Sequence, residues 1–288
     1  MIILMFFGVL LANQLIGILY KTFSDSPIRD NKTAPIFMSV WTGLLGLVSI
    51  IASVVANCTF TFSTITWLTA VPSGVFFAVA GLMYISALSR GSFIWSVFLM
   101  NLSNFIPIVF SLAFLGEPIN LPQIIGVLMI LSILFVMSIG LQYKNNLFSA
   151  RWMMFAMTAM LSNGSVLSLQ KTHAHFARGY ELEFLTVLFL SASVTALTYH
   201  MFVIKKVIMP MRSLLPISFG MVATIGAINF LSMLLMRHVT AAVQFPIIVG
   251  GGTIITAVIG VVLYKENPSS RLYISAFLLV AGVILLGL

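Results

Sequence analysis

The chain has 288 residues, of which 60% are hydrophobic and 7% charged, and its mean hydropathy is +1.14. Ordinary soluble domains carry about 25% charged residues, so this composition excludes a soluble globular protein and points to a chain embedded in the bilayer. The net charge of +8 then reports membrane orientation rather than nucleic-acid binding, and one cysteine, Cys58, excludes an internal disulfide.

A hydrocarbon core about 30 Å thick needs roughly 20 apolar residues per helix. Runs of that kind predict ten helices, over Ile2–Tyr20, Ala34–Ala56, Thr66–Leu88, Ser92–Leu115, Leu121–Leu141, Trp152–Gln170, Glu183–Ile204, Leu214–Met236, Thr240–Tyr264 and Ser270–Leu288. The runs are continuously apolar and too long for the alternating strands of about 10 residues that build a barrel. The first has no basic region ahead of it, which suits a retained span rather than a cleaved signal peptide. The fold class expected is an all-α membrane protein whose connections are too short to hold a soluble domain.

The loop Leu115-Gly116-Glu117-Pro118 follows the fourth run, and Glu117 is the only charged residue between Arg90 and Lys144. Tyr264-Lys265-Glu266-Asn267-Pro268-Ser269 follows the ninth. Other features recur in the same order: Asn13 with Lys21 and Asn163 with Lys171, Val71-Pro72 and Leu215-Pro216, Tyr84 and Asn229. The members of each pair lie between 144 and 150 residues apart. This implies a duplicated five-helix unit, residues 1–145 and 146–288. Because five is odd, the second copy enters from the opposite side, giving two inverted repeats with a site expected near the midplane.

Eleven of the Lys and Arg residues fall in one set of loops: Lys21, Arg29, Lys32, Arg90, Lys144, Arg151, Lys205, Lys206, Arg212, Lys265 and Arg271. Only Lys171, Arg178 and Arg237 fall in the other. The bias places the first set in the cytoplasm and both termini outside.

Two five-helix halves, each with a Glu-bearing loop after its fourth helix, resemble the drug/metabolite transporter superfamily and within it the EamA-like transporters. The residues carrying the likeness are Leu115-Gly116-Glu117-Pro118 with Gly126, Lys265-Glu266, and the ending Ala281-Gly282-Val283-Ile284-Leu285-Leu286-Gly287. The resemblance implies transport of a small metabolite or drug-like solute, often export, through a cavity lined by the first, third, fourth, sixth, eighth and ninth helices. It implies no cofactor and no catalysis. It also implies both termini in the cytoplasm, against the charge bias. A multi-pass protein of the cell membrane is expected, the inner membrane in a bacterium. Its partners would be a small-molecule substrate and the lipid bilayer, with the chain a monomer or homodimer and no nucleic acid bound. The rival is a membrane-embedded lipid-handling protein or enzyme, which needs a nucleophile with its base or a metal cluster at one depth. The sequence offers neither.

The six acidic residues, Asp25, Asp30, Glu117, Glu181, Glu183 and Glu266, all fall in loops or at helix ends. A carboxylate at the bilayer centre costs about 3 kcal/mol on insertion scales and is kept for function. Its absence argues against proton coupling through a mid-membrane Asp or Glu. The cavity candidates are therefore polar and uncharged: Asn13, Tyr84, Asn101, Asn163, Asn229 and Gln244. Glu117, Glu266, Lys21 and Lys171 are candidates for gating, with loop and capping roles as the plainer reading. Asn120 followed by Gln123 has the spacing of a capping box opening the fifth helix. Trp41 fits an aromatic wall or an interface anchor equally. Gly250-Gly251-Gly252 after Pro246 fits either a broken helix or close helix packing. His173 and His175 are weak metal candidates, and no ligand set of metal-site spacing appears.

Overall fold

The computed structural model describes residues 2–25, 33–56, 60, 63–90, 96, 99–100, 102–138, 150–204, 211–264 and 270–286. Among the described residues the chain is all helical, with no strand. In chain order the elements are α1 (Ile2–Asp25), α2 (Ala34–Val55), α3 (Thr64–Leu88), α4 (Phe105–Phe114), α5 (Leu121–Ser138), α6 (Ala150–Phe176), α7 (Glu181–Tyr199), α8 (Met211–Met236), α9 (Ala241–Tyr264) and α10 (Ser270–Leu286). A π-helical turn, His200–Ile204, continues α7. Among the described residues, five helical stretches are long and apolar enough to cross a membrane: Ala34–Val55, Thr64–Leu88, Ala150–Phe176, Glu181–Val203 and Leu215–Met236. The chain is a helical protein with the makings of a membrane protein.

Helix starts follow local chemistry. Ser63 caps α3 by accepting from the Thr66 amide at 3.2 Å. Asn120 and Gln123 close the reciprocal pair that their spacing announces: the Gln123 amide donates to Asn120 Oδ1 at 2.9 Å and the Asn120 amide to Gln123 Oε1 at 3.3 Å. Gly116 turns the chain just before this cap at φ +62, a left-handed backbone that side chains disfavour. Helix interiors carry many Ser and Thr residues, and most return their hydroxyl to a carbonyl four residues back, as Ser49 does to Leu45, Ser53 to Ser49 and Ser73 to Thr69. A hydroxyl satisfied inside its own helix leaves the helix face free to meet lipid or another helix.

The helices pair mainly across the middle of the chain. α2 packs on α7 and α5 on α10, while α3 packs on α6 and α1 on α8. α7 also lies against α3, and α4 contacts α6 as α1 contacts α9. Hydrophobicity does not drive such pairing where lipid is the alternative, so close backbone approach and hydrogen bonds decide it. At the α3–α7 crossing a Cβ on Gly74 would lie 2.3 Å from the Leu188 carbonyl oxygen and 2.8 Å from the Ala192 nitrogen. At the α2–α7 crossing Ser193 Oγ donates to the Ser39 carbonyl at 2.8 Å. Gly282 of α10 would meet Ile130 Cγ1 at 2.5 Å and the Gly126 carbonyl oxygen at 3.0 Å if it had a Cβ, which explains this glycine. Gly250 meets Ile130 and Gly251 meets Leu10 in the same way, so at these two positions the glycine run serves packing.

The largest apolar cluster joins α2, α3, α7 and α8 around Phe37, Trp41, Phe184, Phe189 and Met221. Trp41 is 1% exposed and meets Phe77 edge-on at 5.8 Å, and Phe77 meets Phe189 at 5.7 Å. Trp41 is therefore a core residue here, not an interface anchor. A second cluster centres on Ile130, Ile133 and Phe245.

Gly74 is the tightest test of this packing. Gly74→Val forces backbone apart at the α3–α7 crossing and is expected to destabilise by about 1–3 kcal/mol or more, read as a lower thermal unfolding midpoint in detergent. Gly116→Ala costs less, because it has open space around it and only its backbone is strained.

Candidate functional site

The charged residues that looked like loop residues are drawn together at one end of the helices. α6 runs to Phe176 rather than ending at Gln170, so Lys171 lies within the helix and is 2% exposed. Its ammonium sits 2.6 Å from Glu117 Oε1 and also donates to the Met236 carbonyl at 3.2 Å and the Val239 carbonyl at 3.0 Å. These three acceptors satisfy the three ammonium donors. Glu117 Oε2 in turn accepts from the Ala241 amide at 2.9 Å, the first residue of α9. Lys171 thus serves the carboxyl end of α8, where the helix dipole is negative, and Glu117 serves the amino end of α9, where it is positive. The expectation that Glu117 complements the start of α5, and that Lys171 caps or snorkels from its own helix, is corrected: both act on helices distant in sequence. The pair ties the α4–α5 turn of residues 1–145 to three helices of residues 146–288.

A second ion pair lies on the same face. Arg237 donates from Nε and Nη2 to the two oxygens of Glu181, and the Gly179 amide donates to Glu181 Oε1 at 3.3 Å. Gly179 holds φ +102, which lets the α6–α7 turn fold back onto the start of α7. Glu181 and Glu183, acids expected in loops or at helix ends, are 4% and 3% exposed and so buried in protein. His173, 0% exposed, lies against Phe184 with Nε2 3.3 Å from Thr66 Oγ1. No group of three or more metal-ligating side chains occurs among the described residues.

A cavity of about 560 Å³ opens beside the second ion pair. Phe60 and Phe230 supply an apolar side, and Arg178, Tyr180, Glu181 and Arg237 a polar one. Its volume lies within the range of small-molecule sites. None of Asn13, Tyr84, Asn163, Asn229 and Gln244 is among its lining residues.

Those amides occupy the helix interfaces instead. Asn13 donates to the Val9 carbonyl of its own helix at 3.0 Å. Asn163 donates to Ser103 Oγ at 2.7 Å, joining α6 to the residues just ahead of α4. Asn229 donates to the Ile225 carbonyl at 2.9 Å and accepts from Gln170 Nε2 at 2.7 Å. Gln244, 0% exposed, donates to the Ser232 carbonyl at 3.1 Å. Tyr84 is half-buried on α3. Asn101, Glu266 and the Lys21 side chain lie outside the described residues. Asn163, Gln170, Asn229 and Gln244 supply a seam of polar side chains on α6, α8 and α9, in which Gln170 and Asn229 bond each other while Asn163 and Gln244 bond Ser103 and Ser232. Gln170 is the member sequence reasoning missed, because its counterpart 150 residues earlier is Tyr20 and not an amide.

No family model matches the chain, and no curated protein matches it. Among 29 solved chains that do match, one crystal structure, whose description names no function, is similar over 98% of this chain and 94% of its own length. Its TM-score is 0.77 at 17% identity, a likeness that shows the fold alone.

Removing one member of a buried ion pair leaves the other charge uncompensated, at a cost of about 3–5 kcal/mol. Glu117→Leu and Lys171→Met are each expected to lower the unfolding midpoint clearly. The double variant is expected to be less destabilised than the sum of the two, by about 1–3 kcal/mol of coupling. Strict additivity in thermal or chemical unfolding would mean the pair is not formed.

Proposed function

We propose that the protein is a secondary transporter of the drug/metabolite transporter kind, with an EamA-like arrangement. It moves a small metabolite or drug-like solute across the bilayer by alternating access, with export as the direction the resemblance suggests. The single observation carrying this reading is the pairing pattern of the helices. Adding five to a helix index maps the α3–α6 pair onto the α8–α1 pair and the α4–α6 pair onto the α9–α1 pair, while α2–α7 and α5–α10 map onto themselves. A two-fold relation between residues 1–145 and 146–288 has this signature, and an odd helix count makes it an inverted one.

The polar groups support the same reading. The seam of amides lies inside the bundle and carries no charge, as a binding region for a small polar solute requires. The Glu117–Lys171 and Arg237–Glu181 pairs cluster at one end, where they hold that mouth shut. In an alternating-access cycle the Glu117–Lys171 pair, which joins the two halves, separates when they rock apart on that side, while Arg237–Glu181 stays within residues 146–288. Glu266 and Lys21 are the sequence counterparts of Glu117 and Lys171. The charge bias sets the Glu117 face outside.

Proteoliposome flux of a panel of labelled small metabolites tests the function. Saturable uptake or efflux of at least one solute is expected, and it falls strongly in Gly74→Val. Absence of flux across the panel, together with a hydrolytic or lipid-transferring activity, would replace this reading. A reporter fused after Leu288 tests the orientation: signal from a reporter active only outside the cytoplasm is expected, and cytoplasmic activity would reverse the assignment.

A further inference from the structure

The interior amides of α6, α8 and α9 are not equivalent at their two ends. Every described one spends its nitrogen on a protein acceptor. Gln170 Oε1 and Gln244 Oε1, on side chains 1% and 0% exposed, have no hydrogen-bond partner. Buried amide oxygens nearly always find a donor, so two on one seam call for an explanation.

Their direction is fixed by the backbone. Asn229 Nδ2 donates to the Ile225 carbonyl, which can only accept, so Asn229 must present its oxygen to Gln170. Gln170 must then present its nitrogen to Asn229, and its own oxygen is left over. Exchanging O and N in Gln170 would set oxygen against oxygen. Gln244 is pinned in the same way, because its nitrogen faces the Ser232 carbonyl. The backbone of α8 therefore orients both glutamines, one from α6 and one from α9, about one turn apart along it. Lys171 does not serve these oxygens, because its three donors are taken by Glu117, Met236 and Val239.

The geometry points to an acceptor site: Gln170 Oε1 and Gln244 Oε1 receive N–H or O–H donors from the transported solute. The inference rests on the transporter reading for its place on the path and adds the class of substrate. A primary ammonium or a hydroxyl can donate to such an oxygen, whereas a carboxylate or phosphate presents only more acceptors and is rejected here. Selectivity then comes from unpaired acceptors and not from a buried charge, which fits a seam without a carboxylate. The ammonium and hydroxyl sources share the donor chemistry and differ in charge.

Three probes with one phenylethyl body separate the cases: phenethylamine, phenethyl alcohol and phenylacetate. Thermal unfolding of the detergent-purified full chain is measured with each at equal concentration and ionic strength. One or both donor probes are expected to raise the midpoint and phenylacetate to leave it unchanged. The amine alone acting assigns an ammonium, and the alcohol acting assigns a neutral donor. The shift is lost in Gln170→Leu and in Gln244→Leu. Gln244→Asn, which keeps an amide but withdraws its oxygen by one methylene, is expected to weaken the shift and serves if the leucine variants fail to fold. No shift with either donor probe, as when a buried water alone fills the site, overturns the inference. So does an equal shift with phenylacetate, or a shift that survives in the variants. Binding is read here without flux, so a protein that binds the donor probes but moves no solute sinks the transporter reading and leaves the site standing.

Discussion

The contact between Glu117 and Lys171 organises the charged end of the molecule. One carboxylate and one ammonium, both shielded from water, complete the ends of two helices that neither belongs to. The Ala241 amide and the Met236 and Val239 carbonyls are terminal backbone groups, and a helix end buried without partners is costly. Taking two charges out of water is costly as well, and a buried pair contributes little net stability against an apolar substitute. What it supplies is position. With the pair formed, the α4–α5 turn, the end of α6 and the α8–α9 connection have one arrangement; with it broken, each charge must find water. A contact that is cheap to exchange for hydration but expensive to half-remove suits a mouth that opens and closes.

The rest of the bundle is consistent with such a hinge. The crossings that carry α7 against α2 and α3 are made of Gly74, Ser39, Ser191 and Ser193, small groups that let backbones touch. The α5–α10 pair uses Gly282 in the same manner. Between these rigid contacts runs the seam of Asn163, Gln170, Asn229 and Gln244, held by single hydrogen bonds of modest strength. Interhelical hydrogen bonds in membranes are worth about 0.6 kcal/mol each on average. The bundle thus combines close crossings of small residues with weakly held polar contacts, and the Glu117–Lys171 pair lies where residues 1–145 meet residues 146–288.

Much of the helical architecture was legible in the sequence, because a bilayer-length apolar run has few alternatives. α2 and α9 begin and end within a residue or so of the predicted bounds, and the Asn120–Gln123 cap was readable from spacing alone because both partners are local. The ends of α6 and α7 were not. Lys171, His173 and Glu181 read as loop residues because a charge is assumed to seek water, and whether it stays buried depends on a partner far along the chain. Glu181 has Arg237 and Lys171 has Glu117, and nothing in the local pattern announces either. Some of the candidates, Asn13 with Asn163 and Tyr84 with Asn229, were named because they match in depth between the two halves; Gln170, whose counterpart is Tyr20, has no such match. Which end of each amide is left open depends on backbone carbonyls such as Ile225 and Ser232, and composition cannot show it.

The Glu117–Lys171 contact joins residues 1–145 to residues 146–288, and in the proposed transport cycle it is the closure at one mouth. Spin labels at Ile119, on the α4–α5 turn, and Thr240, at the start of α9, in a Cys58→Ser background report that closure directly as a distance distribution in proteoliposomes. A single short, narrow distribution is expected in the otherwise native chain, with a second, longer population appearing in Glu117→Gln. An unchanged narrow distribution in Glu117→Gln would contradict the account, since the mouth would then be held shut without the ion pair.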